Sequence, residues 1–260
     1  MEIVLYNTFF STFWYSSLLC FFIDFFFPSF RVNSKTVSRD IIVRDYAEML
    51  PLCLFNLISA YPFFFYSQNY ITYSNPNALP VWQNCLLWLG ATDVIFYTIH
   101  YIFHNKHLYS YHKVHHTYKY TYGMGAIYAH PIEFFLANLV PVALPMFLFG
   151  IPLWLCDWIV FFATFYTIII SHGGFKTRLG TSHLNHHLKF KYNYGLLKMD
   201  KVMGTKYLED SQSTSSTDAL LGSAPLGSAP LGSALPGPAA PRSASAPRSA
   251  SAPPGKSCWL

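Results

Sequence analysis

The stretch that decides the fold is HYIFHNKHLYSYHKVHH, which runs from His100 to His116. His100 and His104 are four residues apart, so on a helix their rings lie one turn apart on the same face. An HxxHH pattern, again with helical spacing, follows at 112–116, and HLNHH repeats it at 183–187. Histidine is the commonest side-chain ligand of metals in proteins. The spacing therefore predicts a polyhistidine metal site carried on helices.

The composition is that of a membrane protein. Of the 260 residues, 52% are hydrophobic and only 11% are charged, whereas soluble domains average about 25% charged residues. The net charge of +5 is spread through loops without a basic helix or binding motif, which argues against a nucleic-acid partner. The five cysteines form no CxxC pair, so neither a disulfide framework nor a zinc ribbon is predicted.

Apolar runs occupy most of the first 171 residues, at 3–27, 47–66, 81–103, 133–149 and 153–171. Each approaches or exceeds the length that spans a bilayer, about 20 residues. A cleavable signal peptide is the rival reading of the first run, but that run has no basic start and no A-x-A cleavage site. Pro141 and Pro145 predict a broken or partly inserted fourth helix. We expect an all-α integral membrane protein with four to five transmembrane or re-entrant helices.

The order of these runs predicts where the histidines meet. Two runs, 133–149 and 153–171, separate the cluster at 100–116 from that at 172–187. An even number of passes returns the chain to the same side of the membrane. With the histidines on the cytosolic side, all 17 Lys and Arg fall on that side or in the C-terminal tail, as the positive-inside rule requires.

Composition also divides the chain into three parts. Residues 1–79 are expected to form N-terminal membrane helices, and 80–210 a catalytic domain that contains every histidine. From about 211 to 260, repeats such as LGSAP and PRSASA dominate. This part has almost no apolar surface to bury, so it is predicted to be a disordered tail.

His130 and His172 lie between the boxes and extend the candidate ligand set to ten histidines. Unpaired buried imidazoles would be costly, and a single ion cannot use so many ligands, so two metals are expected. His107 lies outside the boxes and is predicted not to be a ligand. Closed zinc sites prefer four ligands and mononuclear non-haem iron favours two histidines with a carboxylate. The ligand type therefore favours a di-iron site.

Several other polar residues accompany the boxes. Asp93 shares a helical face with His100, so it is expected to accept a hydrogen bond from a metal-bound histidine; pairing with a polar neighbour such as Tyr97 is the alternative. Glu133 and Asp157 are either helix caps or internal hydrogen-bond partners. Residues 192–195, Tyr-Asn-Tyr-Gly, are expected to wrap under the metal-binding helices.

The motifs HxxxH, LYxxHKVHH, YAHPIE, SHGG and HLNHH, followed by NYG and DKVMGT, resemble the fatty acid hydroxylase superfamily. They are most similar to its sterol C4-methyl oxidase and cholesterol 25-hydroxylase branch. The resemblance implies an endoplasmic reticulum membrane enzyme with a cytosol-facing site of two irons. It also implies O₂ as oxidant, with electrons from NAD(P)H through cytochrome b5 and its reductase. By motif, the implied ligands are His100, His104, His112, His115, His116, His130, His172, His183, His186 and His187.

The sequence thus favours a monooxygenase that oxidises a C–H bond of a membrane lipid, with a sterol as the first candidate. A fatty-acyl or sphingoid-base hydroxylase, or a desaturase, on the same scaffold is the enzymatic alternative. A histidine-rich metal transporter is the alternative from another class. A transporter should place its ligands near the middle of the membrane, whereas these boxes lie at helix ends and beyond.

Overall fold

The computed structural model of the chain describes residues 3–34, 37–71, 79–175 and 181–207, and these are mainly helical. Five helices are long and apolar enough to cross a membrane: α1 Val4–Phe26, α2 Arg39–Tyr70, α3 Val81–Phe103, α4 Pro131–Leu148 and α5 Leu153–Ser171. A sixth, α6, spans Thr181–Lys189 and carries the third histidine box. The predicted all-α membrane fold is confirmed. The predicted tail at 211–260 lies outside the described residues.

Helix α2 is longer than the apolar run that predicted it. It begins at Arg39, where the Ser38 hydroxyl accepts a hydrogen bond from the Ile41 amide and so caps the helix. The first two turns contain four charged residues, Arg39, Asp40, Arg44 and Asp45, so a search for continuous apolar residues places the start of the helix too late. Pro51 and Pro62 lie inside the helix, which nevertheless continues to Tyr70.

Helix α4 is interrupted, as its prolines predict. A short α-helical start, Pro131–Glu133, is followed by a π-helical segment, Phe134–Leu139, and then by a regular helix, Val140–Leu148. Pro141 has no amide hydrogen to donate to the preceding turn, which explains why the regular hydrogen-bond pattern changes there. Helix α5 also ends in a π-helical segment, Tyr166–Ser171, immediately before His172.

Helices α4 and α5 form the predicted hairpin. Gly150 turns the chain with a φ of 59°, a conformation that glycine adopts without steric cost, and Pro152 precedes the first residue of α5. The hairpin returns the chain to the first histidine cluster, since the Nε2 atoms of His115 and His172 are 3.2 Å apart. The expectation that the clusters meet on one side is therefore confirmed.

The N-terminal helices pack against α5 and against a 3₁₀ segment, both of which adjoin histidine-bearing segments in the chain. Helix α1 contacts both α2 and α5, and Phe13 and Cys20 on α1 are fully buried. In α2, the buried Asn56 side-chain amide donates to the carbonyls of Ile127 and Ala129, at 2.9 and 2.8 Å. These bonds hold the 3₁₀ segment Gly123–Ile127, which leads from the second histidine box to α4.

A buried ion pair adds a second tie between these parts. Arg31, just after α1, is 0% exposed and pairs with Asp24 at 2.7 Å. It also donates to the Thr121 carbonyl at 2.7 Å and forms an isolated antiparallel bridge with Phe175. Because Phe175 closely follows His172 in the chain, Arg31 links the end of α1 to both loops that border the histidine cluster.

Candidate metal centre

Nine of the ten histidines expected to bind metal come together in two adjacent groups. The first group contains His100, His104, His112, His116 and His186, and the second contains His115, His172, His183 and His187. In each group, one ring nitrogen from every member lies within 4.8 Å of those of the others. Most of these residues are buried. Each group has the ligand atoms to hold an ion, and the binding of two metals stays a prediction.

The ring nitrogens that converge are all Nε2 atoms. In the first group, four Nε2···Nε2 separations lie between 2.9 and 3.2 Å. In the second group, three lie between 3.0 and 3.2 Å. Two nitrogens about 2.1 Å from one ion are about 3.0 Å apart at a right angle, but about 3.4 Å apart in a tetrahedron. The spacing therefore fits ions with five or six ligands better than closed tetrahedral zinc sites.

For three of these rings, the other ring nitrogen shows which nitrogen carries the proton. His100 Nδ1 donates to the Tyr194 carbonyl and His186 Nδ1 to the Tyr192 carbonyl, both at 2.7 Å. His172 Nδ1 donates to the Thr167 carbonyl at 2.9 Å. A carbonyl oxygen only accepts, so each neutral ring carries its proton on Nδ1 and presents a lone pair at Nε2.

Lone pairs that face one another at about 3 Å repel unless a cation lies between them. His100 and His112 show this most clearly, because both Nδ1 atoms face acceptors while their Nε2 atoms are 3.2 Å apart. The donor set thus fits bound metal ions. It consists of imidazoles alone, since neither group contains a described carboxylate or thiol.

Burial keeps these rings in the form that binds metal. It lowers the pKa of His115 to about 4 and the pKa of His172 to about 3. The pKa of His187 also falls well below its ordinary value, first because of burial and then because His115 and other histidines are close. A buried ring loses hydration of its charged form. At neutral pH these imidazoles are therefore uncharged ligands.

Glu133 contacts the first group through the Nδ1 atom of His112, on the side of the ring away from the converging Nε2 atoms. Its Oε1 lies 2.5 Å from His112 Nδ1, and both side chains are almost fully buried. A carboxylate that accepts a hydrogen bond from a metal-bound imidazole fixes the ring and raises its basicity. Of the two roles left open for Glu133, internal partner and helix cap, the structure shows the first. Asp157 is likewise an internal partner, because Thr8 donates to it.

Asp93 does not make the expected bond to a histidine. Its Oδ1 accepts from the amides of Leu196 and Leu197, at 2.9 and 3.0 Å. Its Oδ2 accepts from Lys198 and Met199, at 2.8 and 3.1 Å. Four backbone donors thus occupy the carboxylate, and no described histidine bonds to it. Asp93 acts instead on the segment that follows the third box.

That segment carries out the wrapping role predicted for residues 192–195. The carbonyls of Tyr192 and Tyr194 orient His186 and His100, as described above. Asp200 holds the same turn by accepting from the amides of Tyr194 and Gly195, at 2.7 and 2.8 Å. A Cβ added at Gly195 would lie 3.1 Å from both Asp93 and Asp200. The two carboxylates therefore shape a backbone turn that positions two ligand rings.

Two histidines lie outside both groups. His130 precedes α4, where its Nδ1 accepts from the Ile132 amide at 3.2 Å and its ring packs on Tyr111. The structure thus assigns this expected ligand a helix-capping role, because the cap commits the Nδ1 lone pair to the backbone. His107 is exposed in the turn after α3, in agreement with its predicted absence from the ligand set.

A cavity of about 300 Å³ adjoins both groups. It lies between α3, α4 and α5, and His112, His115 and His172 form part of its wall. Most of the remaining wall is apolar, with Trp88, Phe96, Ala137, Pro141, Val142, Phe162, Leu196 and Leu197 among its residues. Such a site accepts an apolar molecule and holds one part of it beside the histidines.

Comparisons with known proteins agree with this geometry. Residues 85–205 match the family model described as fatty acid hydroxylase. No solved structure matches the chain. The described ligand residues all lie within the matched range, so the superfamily resemblance noted from the motifs is confirmed.

The similar proteins include fatty acid hydroxylases and sterol-oxidising enzymes. The chain is 32% identical to a fatty acid hydroxylase of Mycosarcoma maydis over 38% of its own length and 28% of that protein. It is 33% identical to fatty acid hydroxylase domain-containing protein 2 of Homo sapiens, over 44% of its own length and 35% of that protein. It is 30% identical to methylsterol monooxygenase 1 of Rattus norvegicus, over 49% of each. The matches thus span between about a quarter and a half of these relatives, and the last supports the sterol-oxidase branch.

Proposed function

We propose that this chain is a membrane di-iron monooxygenase that oxidises a C–H bond of a lipid, because residues 85–205 match the fatty acid hydroxylase family model. A sterol is the first candidate substrate, since rat methylsterol monooxygenase 1 is among the relatives. The observation that carries the proposal is the convergence of nine histidine Nε2 atoms in two groups beside an apolar cavity. A fatty-acyl substrate is the second candidate, favoured by the name of the fungal relative.

The protein's own residues would prepare the site in three ways. The nine histidines would hold two iron ions, which supply the activation of O₂ when bound. Glu133 and the carbonyls of Tyr192 and Tyr194 fix the orientation of three ligand rings. The apolar wall between α3, α4 and α5 excludes water and places an unreactive C–H bond next to the metal positions.

We further propose that the site faces the cytosol at the endoplasmic reticulum membrane. The support is the order of the apolar segments along the sequence, in which every Lys and Arg falls in a stretch that this topology assigns to the histidine side, or in the C-terminal tail. Electrons would then come from NAD(P)H through cytochrome b5 and its reductase, as the family resemblance implies.

A lipid profile tests the reaction most directly. Sterols and fatty acids are compared in cells that express the wild type, His186→Ala or His107→Ala at equal membrane levels. His186→Ala removes a buried ligand, so its oxidised product should disappear, whereas His107→Ala changes an exposed ring and should leave the product unchanged. An oxidised sterol would identify the first substrate class, and an oxidised fatty-acyl chain the second. Metal uptake without any oxidised lipid would support a transporter and contradict the proposal.

A further inference from the structure

The segment from Lys189 to Tyr207, here called the basic cap, has an unusual charge distribution. Five lysines on it are exposed: Lys189, Lys191, Lys198, Lys201 and Lys206. None of them forms an ion pair with a described residue. The cap's only acidic residue, Asp200, is buried and accepts from backbone amides of the cap itself. The exposed charges on the cap are therefore all positive.

Hydrogen bonds close the basic cap into a loop and fix its conformation. At its base the Asn193 amide donates to the Thr205 carbonyl at 2.9 Å, and the Tyr207 amide donates to the Asn193 side chain at 2.8 Å. Lys189 lies over the Tyr207 ring. The four amide bonds to Asp93 fix the far turn. The lysines are thus presented on a preformed surface, which lowers the entropic cost of binding a partner.

The inner side of the same loop contacts the metal ligands. The Tyr192 carbonyl, one residue after exposed Lys191, accepts from His186 Nδ1 at 2.7 Å. The ring of Tyr194 is buried, with its centroid 4.9 Å from that of His104 and 5.3 Å from that of His186. A charge carrier on the outer surface is therefore separated from the first metal position by little more than one peptide group and one imidazole.

We propose that the basic cap is the docking surface for an acidic one-electron carrier protein. This inference rests on the proposed function, in which RH, O₂, two electrons and two protons give ROH and water. The two electrons must arrive one at a time from outside the chain. Complementary charge steers such a carrier to its site, and the carbonyl links to His100 and His186 make this surface the short route inward. The exposed Leu197 and Val202 supply apolar contact between the lysines.

An anionic bilayer surface is the competing occupant, because lysines with exposed apolar neighbours also bind lipid headgroups. That alternative would make no use of the hydrogen bonds between the cap and the ligand rings. The two are separated by measuring carrier kinetics and vesicle binding on the same proteins.

The experiment uses the full-length protein in nanodiscs, with reduced cytochrome b5 as the acidic probe. Lys201→Glu together with Lys206→Glu reverses two charges on the cap. Lys106→Glu together with Lys119→Glu makes the same change at exposed lysines outside it. The rate at which each protein oxidises the carrier is followed by haem absorbance, in parallel with bound-metal content and the rate of reduction by dithionite. The haem measurement needs no lipid product, so it reports docking whichever lipid is the substrate. A metal-loaded wild type that reacts with dithionite but oxidises no carrier would overturn the docking proposal, whereas failure of the dithionite reaction itself would contradict the proposed function.

In the cap variant, the carrier concentration that gives the half-maximal rate should be about tenfold higher or more, as expected for lost electrostatic steering. Its metal content and its rate with dithionite should match those of the wild type. In the control variant, the half-maximal concentration should change less than about twofold. Added salt should raise the half-maximal concentration of the wild type towards that of the cap variant, because salt screens the charges. Equal carrier kinetics in both variants would overturn the proposal. So would a cap variant that loses only its binding to phosphatidylserine vesicles, which would assign the cap to the membrane.

Discussion

Replacing Glu133 tests whether the carboxylate behind His112 tunes the first metal position. The substitution Glu133→Gln keeps the size of the side chain and one acceptor oxygen but removes the carboxylate. The bond it weakens is the 2.5 Å contact with His112 Nδ1, between side chains that are 3% and 2% exposed. Loss of such a partner typically costs about 10–100-fold in metal affinity, or roughly 1.4–2.7 kcal/mol. The effect should be confined to the first group, because Glu133 contacts none of the second group's Nδ1 atoms.

The assay is competition with a chelator, followed by metal analysis of the protein. At a chelator concentration that leaves the wild type fully loaded, Glu133→Gln should retain about half of its metal. The matched control is Glu48→Gln, in which the side chain is 53% exposed and Tyr118 is its described hydrogen-bond donor; it should titrate like the wild type. Equal metal affinity of Glu133→Gln and the wild type would refute the role assigned to Glu133.

Three further outcomes are expected. Asp24→Ala leaves the fully buried Arg31 without its counter-charge, so the free energy of unfolding in detergent should fall by about 3–5 kcal/mol. The control Asp40→Ala, at an exposed helix start, should lower it by about 0.3–1 kcal/mol. Similar losses of stability in the two variants would contradict the role of the buried pair. A reporter tag between 72 and 78 should be lumenal and a tag at position 210 cytosolic, so finding both on one side would exclude the proposed topology. Deletion of 211–260 should leave activity within about twofold, as for a disordered terminus, and a tenfold loss at normal expression would show that the tail has a function.

The sequence was sufficient to predict the membrane-crossing helices and the convergence of the histidine boxes. Apolar length identifies a membrane-crossing helix, and the even number of passes between 116 and 172 requires the clusters to meet on one side. Helical spacing within each box also predicts which rings share a face. These features depend on local composition and on counting, so one chain reveals them without its tertiary contacts.

The partners of the acidic residues could not be predicted in the same way. Helical spacing correctly places Asp93 on the face of His100, yet its carboxylate binds amides about a hundred residues later in the chain. Glu133 lies on another helix from His112, and only the packing of α4 brings the two together. Arg31 occurs in a polar stretch and resembles a surface charge, but tertiary structure buries it completely.

His130 shows the opposite difficulty. Its motif resembles that of the family, and its chemistry suits a metal. The proline that follows it begins α4, and the ring then caps that helix through Nδ1. A local hydrogen bond to the backbone competes with metal binding at this position, and the sequence does not reveal which of the two prevails.

The central claim, two metal ions held by two separate groups of histidines, is tested most directly by counting metal in purified variants. His186→Ala removes a ligand from the first group, His187→Ala removes one from the second, and His107→Ala removes an exposed ring outside both. The wild type and His107→Ala should each contain close to two ions per chain after loading with iron. Under the same chelator, His186→Ala and His187→Ala should each fall to about one ion. Two ions in every variant, or a single ion in the wild type, would contradict the account.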